Sequence, residues 1–265
     1  MNSVHFNSGM GEHTVVISRV APTQWHALED DQVVGRGDAA RRPDGRLFLS
    51  VDAWHGAVFD RLAGAMLADL PRPLYTVVDV ADLDLTSDWE RTGFTIRRRE
   101  WEYVVPTDPR VTGLGSVQPP PGVSTVPVGE AREAPLRALD RVIRDEVEAT
   151  VGWHEMPAEV LPRPAGDTVV DPSKYAVAVR SGQYVGLLRL ALVPRRPRIG
   201  LIAVRADLRR RGIARALLAE VLGSLHRGGI GTAFAEVNAS NGAAAALFDG
   251  VGARRAGRTL ELILR

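Results

Sequence analysis

Three consecutive arginines and a glycine, Arg209, Arg210, Arg211 and Gly212, stand between an apolar run ending at Val204 and an amphipathic run opening at Ile213. A strand that ends, turns through such residues and opens a helix leaves several main-chain N–H groups without intrahelical acceptors. They converge on one spot and are reinforced by the positive end of the helix dipole. Gly212 permits close backbone approach to a ligand, Ala214 keeps the helix start narrow, and the three guanidinium groups can pair with phosphate oxygens. The spacing predicts a pyrophosphate-binding turn, with a solvated basic turn as the alternative. Further on, Val237, Asn238 and Asn241 precede a short Ala-rich helix expected over residues 243–248. Asn241 is placed to cap that helix, to touch a ligand, or to do both.

The pattern Arg209-x-x-Gly212-x-Ala214, five residues after a strand-ending Val204, resembles the acetyl-CoA motif of the GCN5-related N-acetyltransferase (GNAT) family. A second gapped motif agrees with it: Val237, Asn241, Ala244, Leu247, Phe248, Gly252 and Ala253 stand where that family has its asparagine-to-glycine-phenylalanine segment. The resemblance covers roughly residues 123–265. It implies a sheet whose fourth and fifth strands splay apart to admit the pantetheine arm of acetyl-CoA as co-substrate. By that likeness Ile202, Ala203 and Val204 offer backbone contacts. Arg209, Arg210, Arg211, Gly212, Ile213 and Ala214 cradle the pyrophosphate, and Asn238 or Asn241 holds the pantetheine. The family's usual tyrosine acid is Phe248 here, and Ala253 replaces the closing phenylalanine. A CoA thiolate leaves with a pKa near that of a free thiol, about 8.5, so a missing acid need not abolish transfer.

An amine must be neutral to attack a thioester, which calls for a base. Glu236 is two residues before Asn238 in a strand, so the two share a face and Glu236 points toward the splay if Asn238 lines it. His154 and Glu155 lie in an irregular segment that often shapes the acceptor pocket in the resembled family, and Trp153 beside them is either a pocket floor for a cation or a core residue. Asp145, Glu146, Glu148, Glu155 and Glu159 cluster nearby, and would favour a cationic acceptor if several faced the cleft. The resulting expectation is direct acetyl transfer from acetyl-CoA to an amine of a small molecule, cationic amines included, or of a protein. A non-catalytic acyl-CoA-binding module that has kept the fold is the alternative.

Elements that would position these groups follow from periodicity. After a strand at 123–128 comes a helix at 131–147 striped by Leu136, Leu139, Ile143 and Val147. A hairpin is expected over 175–193 with its turn at 180–183, then a strand at 199–204, a helix at 213–225, a strand at 232–237, the short helix, and a last strand at 258–264. The first half echoes the later part of this order: strand 47–51, helix 54–70, strand 74–80, helical turn 87–92, strand 95–105. It lacks an arginine-glycine turn, so no cofactor is expected there. The fold class is α/β, a mixed and largely antiparallel sheet flanked by helices, in two tandem GNAT-like copies with the first truncated. The expected divisions are a loose tail at 1–13, a degenerate copy at 14–105, a linker at 106–122 that includes five prolines, and the acetyl-CoA-binding copy at 123–265.

Composition agrees with a globular protein. Of 265 residues 45% are hydrophobic and 25% charged, enough apolar side chain to build a sizeable core. There is no cysteine, which excludes disulfides, thiolate metal sites and cysteine nucleophiles, and the six histidines show no metal-ligand spacing. Residues 1–120 carry 12 basic and 17 acidic side chains, a net of −5, and the remainder 21 and 15, a net of +6, so an anion belongs with the second half. Neither G-x-x-x-x-G-K-[ST], G-x-G-x-x-G after a strand, nor G-x-S-x-G is present, which excludes P-loop, Rossmann and nucleophile-elbow chemistry. No metal, nucleic acid or membrane is expected as a partner. A cytoplasmic chain, either a monomer whose two copies pair internally or a homodimer, is expected.

Overall fold

The computed structural model describes residues 15–150, 152, 170–193 and 196–265. The first half contains β1 (Val16–Ala21), β2 (Gln24–Glu29), β3 (Gln32–Arg41), β4 (Leu47–Ala53), α1 (Gly56–Asp69), β5 (Leu74–Asp79), α2 (Leu83–Arg91) and β6 (Thr95–Pro106). A four-residue helix, α3 (Pro109–Thr112), comes next. The second half contains β7 (Val123–Val126), α4 (Glu133–Glu148), β8 (Tyr175–Arg180), β9 (Gln183–Ala191), β10 (Arg198–Val204), α5 (Ile213–Arg227), β11 (Thr232–Asn238), α6 (Gly242–Asp249) and β12 (Arg254–Leu264).

The twelve strands among the described residues form one sheet in the order β1-β2-β3-β4-β5-β12-β6-β11-β10-β9-β8-β7. Only β4·β5 and β10·β11 are parallel. The order shows an exchange at the centre. The last strand of the first half, β6, pairs with β11 of the second, and the last strand of the second half, β12, pairs with β5 of the first. β6 and β12 pair with each other between them.

Side-chain alternation makes the exchange energetic as well as topological. Leu260, Leu262 and Leu264 of β12 pack in the core that holds Trp25, Leu62, Met66, Trp89 and Phe94 of the first half. Tyr103 and Val105 of β6 pack in the core built on α5, with Leu217, Leu218 and Ala235. The two cores therefore do not follow the chain's two halves. On the opposite face, at the middle of the β6·β12 pair, Glu261 accepts from Arg97 at 2.5 Å and pairs with Arg98 at 3.2 Å, and Arg98 reaches Glu100 at 3.1 Å. Arg98, Glu100 and Glu261 are buried, so removing one partner would leave another charged and uncompensated.

The strands and helices that periodicity predicts are present, most with bounds moved by a residue or two. The turn of the β8–β9 hairpin places Ser181 and Gly182 at φ 49° and 76°. The 87–92 turn is the C-terminal part of the longer α2, capped by Asp82 accepting from the Leu85 amide. Strands β1 to β3 carry no clear signal in the sequence. β3 contains Gly35 and Gly37, where a Cβ would lie 2.7 Å from Val58 and 2.4 Å from Met66, so packing of α1 broke the alternation. With β1 to β3 in place, the described residues of the first half follow the element order of the second except that they include no helix corresponding to α4. Residues 106–122, expected as an extended spacer, contain α3 and are packed: Leu114 is buried against the α5 core, and the Thr107 hydroxyl donates to the Ile230 carbonyl at 2.5 Å. No described helix is long and apolar enough to cross a membrane.

Truncating Leu262, fully buried on an exchanged strand, should cost about 2 to 5 kcal/mol. Urea unfolding of Leu262→Ala followed by tryptophan fluorescence and by circular dichroism should still give coincident single transitions, because the core it damages includes strands of both halves. Two separated transitions would show that the halves fold independently.

Candidate active site

β10 and β11 pair in parallel at only two positions, Arg198↔Phe234 and Ile199↔Ala235, and then diverge. The divergence begins at Gly200, where the β9·β10 register slips between Ile199 and Leu201. β10 keeps β9 on its outer side and β11 keeps β6, so the edges facing each other have peptide groups without a strand partner. The opening is a cleft lined by Ile199, Gly200, Leu201 and Ile202 of β10 and Glu236, Val237 and Asn238 of β11. Asn241, Ala244 and Phe248 of the α6 segment and Glu100 of β6 complete it.

The loop after β10 turns through a single 3-10 turn at Ala206–Leu208 into α5. Arg210 has φ 61° and Gly212 φ 83°, and Gly212 is the helix N-cap without a side chain to satisfy the first turn. The first intrahelical bond there is Ala216 N–H to the Gly212 carbonyl, so the amides of Ile213, Ala214 and Arg215 have no intrahelical acceptor. The Ile213 side chain is core: a Cβ on Gly186 of β9 would lie 3.2 Å from it, so glycine there lets α5 sit close to the sheet.

The loop is braced from α4. Both carboxylate oxygens of Glu146 accept from the Ala206 amide at 2.9 Å, and one pairs with Arg209 at 3.1 Å. Arg209 also donates to the Val204 carbonyl at 3.2 Å, and Arg211 to the Asp207 carbonyl at 3.3 Å. The Arg209 guanidinium is thus occupied in shaping the turn. Glu146 is occupied too, so of the acidic cluster read from the sequence it is not turned toward an acceptor. Asp145 and Glu148 are exposed on α4. His154, Glu155, Trp153 and Glu159 lie outside the described residues.

The other sequence candidates fall as follows. Ile202 lines the cleft, Ala203 packs toward the α4 side and Val204 is buried on the α5 side. Asn238 lines the cleft and its side-chain oxygen accepts from the Ser240 amide and hydroxyl. Asn241 lines the cleft and also caps α6, accepting from the Ala244 amide at 3.0 Å. Phe248 is 2% exposed and packs against Tyr103 at 5.4 Å between ring centroids. The Tyr103 hydroxyl is buried, held above its ordinary pKa by that burial, and accepts from Arg255 at 2.9 Å.

Glu236 faces the cleft and is paired with Arg198 at 2.7 Å. Glu100 was not legible as a site residue. It stands directly opposite Asn238 in the β6·β11 register and reaches the cleft only because β6 crosses into the second half's sheet. Burial pushes its carboxyl above the ordinary carboxylate range, the neighbouring Arg98 pulls it back, and Glu236 and Glu261 push it up further. The one sequence signal was the alternation of Glu100 and Glu102 with Trp101 and Tyr103, a charged face on a strand at the middle of the sheet.

The first half repeats the parallel pair with the same brevity, Leu47↔Leu74 and Phe48↔Tyr75. There the Thr76 hydroxyl, 2% exposed as a residue, donates across the opening to the Leu49 carbonyl at 2.9 Å. The helix beyond it starts after His55 with no arginine turn.

The site is thus a sheet opened between two parallel strands and facing an uncapped helix N-terminus. Residues 139–253 match the model of the acetyltransferase (GNAT) family, and the second half of this chain therefore carries a domain of that family. Solved structures extend the likeness across both halves. A GCN5-related N-acetyltransferase from Sphaerobacter thermophilus is 18% identical with a TM-score of 0.63, over 93% of this chain and 82% of that one. A tandem GNAT protein from the clavulanic acid biosynthesis pathway is 14% identical with a TM-score of 0.62, over 91% and 82%. A GCN5-related N-acetyltransferase from Kribbella flavida is 14% identical with a TM-score of 0.58, over 95% and 89%. No curated protein sequence is significantly similar.

The raised Glu100 carboxyl has a thermodynamic consequence. Its folded pKa exceeds its unfolded one, so its contribution to stability is fully present below the unfolded pKa and is lost as pH rises through the folded value. Thermal melts of Glu100→Gln against wild type should therefore show the variant gaining relative stability from about pH 4 to about pH 7. A difference independent of pH would contradict a raised carboxyl. Separately, Glu146→Gln should lower stability by about 1 kcal/mol, because a half-exposed charge-assisted bond to the Ala206 amide is weakened.

Proposed function

We propose that the protein transfers an acetyl group directly from acetyl-CoA to an amine of a small molecule or of a protein. The observation that carries this reading is the opening of β10 from β11 directly before an α5 N-terminus with unsatisfied amides. The donor set fits the co-substrate: the Ile213, Ala214 and Arg215 amides and the exposed Arg210 for the pyrophosphate, the free edge of β10 for the amides of the pantetheine arm, and Asn238 and Asn241 beside it. In this reading the amides of β10 also polarise the thioester carbonyl.

Glu100 serves as general base. Glu236 is paired with Arg198, whereas burial raises the Glu100 carboxyl above the ordinary carboxylate range, so Glu100 takes up a proton more readily than an ordinary carboxylate. The neutral amine forms its C–N bond to the thioester carbon, the C–S bond breaks, CoA leaves as thiolate, and Glu100 receives the ammonium proton. Glu236 and Asn238 orient the amine. Neither Phe248, which has no hydroxyl, nor Tyr103, which is held in the core by Arg255, supplies an acid to the thiolate. That neither of these two supplies an acid also favours a second reading, an acyl-CoA-binding module without turnover. The β6·β12 pairing inside one chain supports a monomer.

Calorimetric titration of acetyl-CoA should give micromolar binding in wild type and at least about tenfold weaker binding in Arg210→Glu, with unchanged melting temperature, since Arg210 is exposed. In thiol-release assays Glu100→Gln should lose about 10²- to 10⁴-fold in turnover while holding acetyl-CoA as wild type does. Binding without thiol release by wild type for any amine would favour the non-catalytic reading. Full turnover by Glu100→Gln would remove Glu100 as the base.

A further inference from the structure

Glu102 and Glu236 stand directly opposite each other in the β6·β11 register. Ala235 and Val237 pack in the α5 core, so Glu236 between them faces the other side of the sheet, and Glu102 with it. Like charges so placed repel. Each is met by an arginine from the start of β10. Arg196, two residues before the strand, pairs with Glu102 at 2.6 Å and lies over the Phe234 ring, 4.4 Å from its centre. Arg198, the first residue of β10, pairs with Glu236 at 2.7 Å. Arg198 is opposite Phe234 at one of the two rungs where β10 and β11 pair, and Glu236 lies two residues beyond Phe234, where that pairing has ceased. The Arg198–Glu236 ion pair therefore bridges the parting strands at the closed end of the opening.

Glu236 is also a diagonal neighbour of Glu100, which stands opposite Asn238. Long side chains at that offset on one face reach each other across about 7 to 8 Å. Both carboxylates line the cleft, and each has an arginine, Arg98 on Glu100 at 3.1 Å and Arg198 on Glu236. A neutral primary amine brings two N–H groups to such a pair. As its nitrogen bonds to the thioester carbon and the C–S bond breaks, one N–H proton passes to Glu100. The other N–H donates to Glu236 and stays in the amide product. A secondary amine has a single N–H, which goes to Glu100, and leaves Glu236 without a donor.

We propose that Arg198 is a positioning residue: by fixing Glu236 at the closed end of the opening it supplies the acceptor for the second N–H, and so sets the preference for primary over secondary amines. This rests on the transferase reading above with Glu100 as base. An Arg198 that only pinned β10 to β11 would alter stability or acetyl-CoA binding and slow every amine alike.

The test is kcat/KM, by thiol release from acetyl-CoA, for primary alkylamines, aralkylamines, diamines and amino-acid amides, each against its N-methyl derivative. Wild type should favour the primary member by about tenfold or more, which one hydrogen bond to a charged group supplies. In Arg198→Met that ratio should fall to within about threefold, through KM for the primary amine rather than kcat, and Arg198→Lys should restore it in part. Adding Arg198→Met to Glu236→Ala should change the ratio no further than Glu236→Ala does alone. Arg196→Gln, which loosens the neighbouring clamp on Glu102, should keep the wild-type ratio, and calorimetry should show unaltered acetyl-CoA binding in Arg198→Met. No preference in wild type, an undiminished ratio in Arg198→Met, an equal collapse in Arg196→Gln, or acetyl-CoA binding lost with Arg198 each overturns the proposal. Thiol release by no amine at all strikes at the transferase reading and takes the proposal with it, whereas turnover of primary amines with an unmoved ratio in Arg198→Met strikes at Arg198 alone.

Discussion

The pairing of β6 with β12 is the constraint on which the rest of the molecule depends. Each strand ends one half of the chain and completes the core of the other, so neither half has a closed sheet by itself. An isolated second half would expose the β11 edge and lose Tyr103 and Val105 from the α5 core. The same pairing places Arg97, Arg98, Glu100 and Glu261 at the sheet centre, where their mutual ion pairs offset part of the cost of burying them.

From this exchange comes the composite character of the candidate site. The cleft wall and the helix N-terminus belong to the second half, but Glu100 arrives on a strand of the first. The two halves share the short parallel pair and differ in the residues beyond it. Residues 209–212 lead to an uncapped helix in one, while in the other Thr76 bridges to Leu49 across the opening. One opening is thereby left to a ligand and the other is crossed by an internal hydrogen bond.

How much of this was legible in the sequence depended on range. The strand–turn–helix around Gly212 and the cap at Asn241 are local, set by residues within a few positions, and both stand where the spacing put them. The helices of both halves follow from 3.6-residue periodicity. The features that escaped were set by distant partners. β1 to β3 lost their alternation to glycines that accommodate α1, and the brace from Glu146 to Ala206 spans 60 residues. Glu100 showed only as one charge on an alternating strand, because the topology decides which edge that strand joins and so which carboxylate lines the cleft. The segment after α4, with His154 and Glu155, lies outside the described residues.

Amide hydrogen exchange with and without acetyl-CoA tests the central claim most directly. The account predicts slowed exchange over residues 201–204 and 210–215, the free edge of β10 and the start of α5, with no change over residues 49–58 of the first half. Protection at 49–58 instead, or none in either opening at saturating acetyl-CoA, would contradict it.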